Sequence, residues 1–181
     1  MRRWIGTTAL CLLFLGLLVA QAVPCVLLNV SRSLPRGLYW RKDSKDSDVS
    51  VGDLVVVCAE SIESAQWITA RGYTGKGRCA DGTAPLLKPI AAIGPARVTV
   101  TDGGVTIDGQ AIPESKPLPI DSNARILPAR HGETALSNDQ IFLLSTHHVL
   151  SLDSRYFGPV QKAAITMNVT PLLTEELLWK Q

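Results

Sequence analysis

The sequence predicts a mainly β domain that follows one apolar N-terminal segment. Short runs of Val, Ile, Leu and Thr recur along the chain and are broken by Gly, Pro and Asp, a pattern typical of strands and turns. The stretch 97–101 alternates polar and apolar residues, and Asp102-Gly103-Gly104 follows it as a hairpin signal. With 181 residues, the chain has room for the apolar segment and one domain that buries its own core.

The apolar segment from residue 4 to residue 31 contains no charged side chain, and Arg2 and Arg3 precede it. It exceeds the roughly 20 residues that a membrane-spanning helix needs, and its positive flank predicts a cytoplasmic N-terminus. We therefore expect a membrane anchor over residues 1–28 and an exported domain over residues 29–181. The alternative is a secretory segment cleaved after Ala22, because Ala20-Gln21-Ala22 fits the small-x-small pattern. We favour the anchor, since apolar residues continue to Val30.

Composition argues against a nucleic-acid partner. The chain has 18 Lys and Arg against 16 Asp and Glu, a net charge of +2, and no basic stripe interleaved with aromatic residues. The cysteines Cys58 and Cys79 lie in the exported part, where a disulfide between them would close a loop around residues 60–71. A reduced, unbridged pair remains the other interpretation.

The remaining elements are predicted from local patterns. Strands are expected at 54–58, 86–93, 97–101, 105–107, 110–112 and 141–145. A short surface helix is expected within 60–71 and a short amphipathic helix at 172–179. The glycine-rich stretch 72–79 lacks the spacing of a phosphate-binding loop and is predicted to be an ordinary loop, while 113–133 is Pro-rich and irregular.

The turn that follows the apolar segment presents two serines, Ser31 and Ser33. Pro35 fixes the backbone just downstream and Gly37 permits a close backbone approach, so Ser33 is expected on a rigid, non-helical turn. Taken alone, these residues equally describe a linker that leaves a membrane helix.

Lys88 is the one cation of an apolar run, Leu86-Leu87-Lys88-Pro89-Ile90. Burial would depress the pKa of its amine and make it a general base for a serine hydroxyl, in the role that a histidine has elsewhere. The alternative is a surface lysine that extends from a half-buried strand.

A third segment, Ser151-Leu152-Asp153-Ser154-Arg155-Tyr156-Phe157-Gly158-Pro159-Val160, is by itself compatible with a turn held by an Asp153–Arg155 ion pair. Together with the serine turn, Gly52-Asp53-Leu54-Val55 and the lysine run, it resembles the bacterial type I signal peptidases. Two further features are similar to the TraF-type conjugative transfer peptidases: the single residue between Ser33 and Pro35, and the loop that begins Arg71-Gly72-Tyr73. The resemblance covers roughly residues 27 to 160 and implies a signal-peptidase-like β domain.

The resemblance also implies roles for individual residues. Ser33 is the nucleophile and Lys88 the general base, Ser31 assists the oxyanion, Ser151 orients the lysine, and Asp153 with Arg155 braces the site. It implies a bacterial inner-membrane enzyme with a periplasmic domain, no cofactor and no metal. It further implies an exported, pilin-like precursor as substrate, with small residues at −1 and −3, and an acyl-enzyme that is resolved either by water or by cyclisation.

Two departures from the family pattern affect the support of the site. Ser145-Thr146-His147 replaces a Gly-Asp-Asn element, and Ile93-Gly94-Pro95-Ala96 replaces a Pro-Gly-Asp element. His147 and His148 raise a histidine mechanism, but neighbours in a strand face opposite ways. Three alternatives remain: a housekeeping leader peptidase, a LexA-type self-cleaving repressor, and a non-catalytic assembly factor of a pilus or secretion apparatus. The repressor lacks support, because no DNA-binding helix pair precedes the domain.

Overall fold

The computed structural model describes residues 25–42 and 48–179, which form antiparallel β sheets with a few short helices. The strands in chain order are β1 (Val26–Asn29), β2 (Gly37–Arg41), β3 (Leu54–Val57), β4 (Leu86–Ile93), β5 (Ala96–Thr101), β6 (Gly104–Ile107), β7 (Gln110–Ile112), β8 (Gly132–Leu136), β9 (Gln140–Leu143), β10 (Val160–Gln161) and β11 (Ile165–Thr174). The α-helices are α1 (Gln66–Ala70), α2 (Ser154–Phe157) and α3 (Glu175–Trp179).

The strands form two sheets. The seven-stranded sheet has the order β1-β2-β11-β3-β4-β9-β10, and the four-stranded sheet has the order β7-β6-β5-β8. In the larger sheet, β3 and β4 pair so that Val55 lies opposite Lys88, and β4 pairs on its other side with β9. Lys88 therefore lies on a central strand, where both neighbouring strands shield its backbone from water.

Apolar side chains on both faces of the larger sheet explain why this sheet is stable. On one face, Val55 and Val57 pack with Ile62 and Ile68 from the helical segment that follows β3, with Leu143 of β9 completing the cluster. A separate cluster joins the two sheets through side chains of β4, β5, β6, β8 and β9. Each buried aliphatic side chain of this kind stabilises the fold by roughly 1.5–3 kcal/mol.

The predicted strands at 54–58, 86–93, 97–101, 105–107, 110–112 and 141–145 are confirmed as β3, β4, β5, β6, β7 and β9. The short surface helix predicted within 60–71 is confirmed as α1 (Gln66–Ala70), which occupies only the last part of that range. Two 3₁₀ turns, Ala59–Ser61 and Glu63–Ala65, precede the five-residue α1, and Ile68 of α1 is completely buried. The apolar positions that suggested an amphipathic surface helix fix this segment to the core.

Five strands were absent from the prediction: β1, β2, β8, β10 and β11. β11 lies in the middle of the larger sheet between β2 and β3, and it continues through Leu172 to Thr174, so the predicted helix at 172–179 begins only at Glu175. β1 comprises Val26–Asn29 and pairs with β2, so the apolar residues at the end of the N-terminal segment form a strand.

The predicted anchor lies outside the described residues from position 1 to position 24. Within 25–42 and 48–179, every helix is too short or too polar to cross a bilayer.

Cys58 and Cys79 form a disulfide, with a sequence separation of 21 residues. The bond ties the end of β3 to the loop that leads towards β4. Closing a loop of this length removes conformations from the unfolded chain, a stabilisation of about 3 kcal/mol.

We expect the double variant Cys58→Ser, Cys79→Ser to lose about 3 kcal/mol of unfolding free energy in chemical denaturation, because the unfolded chain regains this loop entropy. Cys25→Ser is the matched control, since Cys25 is a free, half-buried cysteine. Equal denaturation midpoints for the double variant and the control would contradict the prediction.

Candidate active site

The serine turn is organised by the side chain of Asn29, the last residue of β1. Its amide nitrogen donates to the carbonyl oxygens of Ser31, Leu34 and Pro35 at 3.1–3.2 Å. Its amide oxygen accepts from the backbone N–H and the hydroxyl of Ser31, at 3.0 and 2.8 Å. Because one buried side chain satisfies polar groups on both sides of Ser33, the turn has a fixed shape without belonging to a helix or strand.

The downstream side of the turn is fixed by β2 and the C-terminal strand. The Tyr39 hydroxyl donates to the Pro35 carbonyl oxygen at 2.6 Å. Gly37 has a φ of +142°, and a Cβ there would lie 2.1 Å from the carbonyl oxygen of Leu173 in β11, so only glycine fits. The Glu175 N–H donates to the Arg36 carbonyl oxygen at 2.9 Å, which holds α3 against the turn.

Lys88 is the buried cation that the apolar run predicted. Its side chain is 3% exposed, and its amine lies 3.1 Å from the hydroxyl oxygen of Ser151. Burial lowers the pKa of the Lys88 amine from 10.5 to about 8, the Asp153 carboxylate raises it, and the Arg155 guanidinium lowers it. A substantial neutral fraction near physiological pH is what a general base requires.

Asp153 and Arg155 form a completely buried ion pair. The guanidinium donates through Nε to Oδ1 and through Nη2 to Oδ2 of Asp153, both at 2.8 Å. Burial lowers the pKa of Arg155, but the hydrogen bonds and charge of Asp153 together outweigh this, so its pKa lies above the ordinary value. Asp153 also caps α2 by accepting the Arg155 N–H, and the short helix therefore holds the pair in place.

The Asp153–Arg155 ion pair also makes hydrogen bonds to backbone groups of neighbouring segments. Arg155 Nη2 donates to the carbonyl oxygens of Ser151 and Ser145, at 3.1 and 3.4 Å, and Nη1 donates to that of Lys116 at 3.1 Å. The Ser145 N–H donates to Asp153 at 3.2 Å. The Ser145 hydroxyl in turn donates to the carbonyl oxygen of Ser33.

This network decides between a linker and an organised site, because it links the serine turn to the lysine through buried polar groups. Comparison with known proteins agrees with that geometry. The family described as signal peptidase, peptidase S26, matches residues 1–172. The chain belongs to the peptidase S26 signal peptidase family.

Several relatives carry the name TraF, and two of them show the degree of similarity to this chain. A plasmid transfer protein TraF from Escherichia coli is 32% identical over 147 residues, which are 81% of each chain. A conjugal transfer protein TraF from Agrobacterium tumefaciens (strain 15955) is 37% identical over 147 residues, again 81% of each chain. Among solved structures, a signal peptidase I from Enterococcus faecalis V583 aligns with a TM-score of 0.40 and 14% identity, over 68% of this chain and 97% of that chain.

The site of this signal peptidase family member brings together four of the predicted residues, Lys88, Ser151, Asp153 and Arg155, through direct hydrogen bonds or ion pairing. Ser33 joins them through its backbone and Ser145, and among the described residues its hydroxyl is not hydrogen-bonded to Lys88. Ser31 is exposed and bonds to Asn29 on the upstream side of the turn.

Sequence reasoning missed the parts that Asn29 and Ser145 have in positioning the turn. In the sequence, Asn29 could be recognised only as part of the serine motif. Ser145 could be recognised only as a residue that differs from the Gly-Asp-Asn element of the family. The two histidines have other contacts within the described residues: His147 lies 3.6 Å from Glu176, and His148 accepts the N–H of Leu150 at 3.1 Å.

Proposed function

We propose that this protein is a membrane-anchored serine endopeptidase that cleaves an exported precursor, with Ser33 as nucleophile and Lys88 as general base. The observation that carries the proposal is the buried amine of Lys88, which is held by the Ser151 hydroxyl in a network that reaches the serine turn. Within residues 25–42 and 48–179, the Lys88 amine forms no ion pair with a carboxylate. A buried lysine of this kind is costly to a fold, so a chemical role accounts for it better than a structural one.

In the proposed reaction, the neutral Lys88 amine accepts the proton of the Ser33 hydroxyl as its oxygen attacks the scissile carbonyl carbon. The Ser33 N–H and the Ser31 hydroxyl are the proposed donors to the oxyanion, and preorganised donors of this type contribute several kcal/mol in acyl-transfer enzymes. The lysine then delivers the proton to the leaving amine, which produces an acyl-enzyme. Attack by water gives a linear product, and attack by the substrate's own N-terminal amine gives a cyclic one.

The substrate and location are part of the proposal. The names of the TraF relatives support a precursor used in conjugation, such as a pilin. We place the anchor in the bacterial inner membrane and the domain in the periplasm, where a disulfide such as Cys58–Cys79 persists. Leu28 and Val30, on the upstream side of the serine turn, are 63% and 73% exposed, which suits a domain that lies close to lipid.

Co-expression with a pilin-like precursor tests the proposal, with the products identified by intact mass. Wild type should remove the leader, Ser33→Ala should leave the precursor uncut, and Ser50→Ala should behave as wild type because Ser50 is exposed and outside the network. A product one water lighter than the linear fragment would indicate cyclisation. Normal processing by Ser33→Ala would exclude this nucleophile, and failure of folded wild type to cut would favour the assembly-factor interpretation.

The pH dependence of cleavage follows from the pKa of Lys88. With a pKa of about 8, the fraction of molecules with a neutral Lys88 amine rises from about a tenth at pH 7 to about nine-tenths at pH 9. Since only the neutral amine accepts the serine proton, kcat/KM should rise about tenfold over this interval and then level off. Initial rates on a fluorogenic peptide measure this, with folding checked at each pH. A rate that is flat from pH 6.5 to pH 9 would contradict the assignment of Lys88 as base.

A further inference from the structure

A cavity of about 220 Å³ lies beside the segment that carries Ser151. Leu150 and Leu152, the two chain neighbours of Ser151, form part of its wall. The other lining residues come from α2, from the loop after α1 and from the irregular excursion between β7 and β8: Tyr156, Tyr73, Asp121, Ser122 and Leu127. The cavity therefore adjoins the buried network through α2 and through the segment that carries Ser151.

The carboxylate of Asp121, the acidic group of this cavity, is already satisfied. The Asp121 carboxylate accepts from the Tyr73 hydroxyl, from Arg125 Nε at 2.7 Å, and from the N–H groups of Asn123 and Arg125 at 2.9 and 2.8 Å. The guanidinium of Arg125 lies 4.7 Å from the centre of the Tyr73 ring and balances the carboxylate charge. With the acid neutralised and saturated, what the cavity offers a ligand is the leucine surface of Leu127, Leu150 and Leu152. An apolar side chain fits this chemistry, and a cation does not.

The position of the cavity indicates which part of a substrate reaches it. A general base that takes the nucleophile's proton must next deliver it to the leaving amine, so that amine comes within hydrogen-bond reach of Lys88. The Lys88 amine is itself 3.1 Å from the Ser151 hydroxyl. The peptide that continues from the leaving amine would then run beside the segment 150–152, and Leu150 and Leu152 of this segment form part of the cavity wall.

We propose that this cavity binds an apolar side chain from one of the first two substrate residues after the scissile bond, and that Leu127, Leu150 and Leu152 set this preference. The inference rests on the proposed peptidase function and adds a specificity on the leaving-group side. In a cyclisation reaction, the attacking amine occupies the place that the leaving amine vacated, so the same cavity would select the N-terminal residue that closes the ring.

Internally quenched peptides test this inference. All carry Ala one and three residues before the scissile bond, and they differ only in the two residues after it: Gly-Gly, Leu-Gly or Gly-Leu. For wild type, kcat/KM for one of the Leu peptides should exceed that for the Gly-Gly peptide by about tenfold or more, as expected for an apolar side chain in an apolar pocket. The readout is this ratio within each variant.

Ser122→Trp should fill the cavity from its exposed rim and reduce the ratio to about one. Asn123→Trp is the matched control, because its side chain is exposed and outside the cavity lining, and it should keep the wild-type ratio. Equal rates for the three wild-type peptides, or an unchanged ratio in Ser122→Trp, would overturn the inference while leaving the peptidase function intact. If folded wild type cuts none of the peptides, or Ser33→Ala cuts them equally well, the proposed function fails and this inference fails with it.

Discussion

Lys88→Met is expected to reduce cleavage by at least about a hundredfold and to leave the protein at least as stable as wild type at pH 7. The loss of rate reflects the usual contribution of a general base, about 10² to 10⁴. The stability is retained because Met has nearly the length of Lys but avoids burying an ammonium in the core. Precursor cleavage and chemical denaturation of the same preparations measure both effects.

A pH series separates this explanation from a general packing effect. The pKa of Lys88 is lowered by burial from 10.5 to about 8, so between these values the unfolded chain binds more protons than the folded protein. The free energy of unfolding of wild type should therefore rise, relative to Lys88→Met, as the pH increases from 8 to 10.5, by about 3 kcal/mol. Below pH 8, the full cost of the buried ammonium is present and the difference is constant.

Lys76→Met is the matched control, since Lys76 is exposed, and it should retain both the cleavage rate and the wild-type dependence of stability on pH. If Lys88→Met processes the precursor at the wild-type rate, another group must act as base. If the stability difference between wild type and Lys88→Met does not change above pH 8, the Lys88 amine keeps its ordinary pKa in the folded protein, and the lowered pKa is wrong.

The sequence predicted the chemical members of the site better than it predicted the sheet that holds them. Three short segments have an unusual local composition. The first is the serine turn with Ser33, the second is the apolar strand with the cation Lys88, and the third has an acid and a base two residues apart, Asp153 and Arg155, close to Ser151. Such features are visible without knowledge of the fold. The side chain of Ser151 faces Lys88, which lies 63 residues earlier in the chain. This contact depends on how the strands are arranged, so it could be inferred only through the family resemblance.

β11 shows why the rest of the sheet was harder to predict. It has ten residues and lies between β2 and β3, but Asn168 and Pro171 interrupt its apolar pattern. Pro171 lies beside a register irregularity in the pairing with β2, where a missing N–H is tolerated. β1 was hidden for the opposite reason, since its apolar residues continue a charge-free segment that already had an interpretation.

Asn29 and Ser145 escaped prediction because their effect is exerted through backbone groups. Asn29 bonds to three carbonyl oxygens, and the Ser145 hydroxyl bonds to the carbonyl oxygen of Ser33. Backbone acceptors occur at every position, so nothing in the sequence marks the ones that require a partner. At the departure Ser145-Thr146-His147, the hydroxyl of Ser145 supports the serine turn.

The second large effect concerns the pair that braces this network. Asp153→Asn is expected to lower the free energy of unfolding by about 3–5 kcal/mol, because it leaves the completely buried guanidinium of Arg155 without a counter-charge. The control is Glu133→Gln, which breaks the Arg97–Glu133 pair, whose side chains are 67% and 53% exposed. An exposed pair contributes about 0–1 kcal/mol, so the two substitutions remove the same charge with very different consequences.

Asp153→Asn should also change catalysis in a direction that destabilisation alone does not explain. The Asp153 carboxylate raises the pKa of Lys88, whereas Arg155, which remains, lowers it. Loss of the carboxylate should therefore move the rise of kcat/KM with pH to lower pH, measured at a temperature where the variant stays folded. An unshifted profile would mean that Asp153 braces the site without acting on the lysine charge. Equal destabilisation by Asp153→Asn and Glu133→Gln would mean that the carbonyl partners of Arg155 are enough to hold its charge.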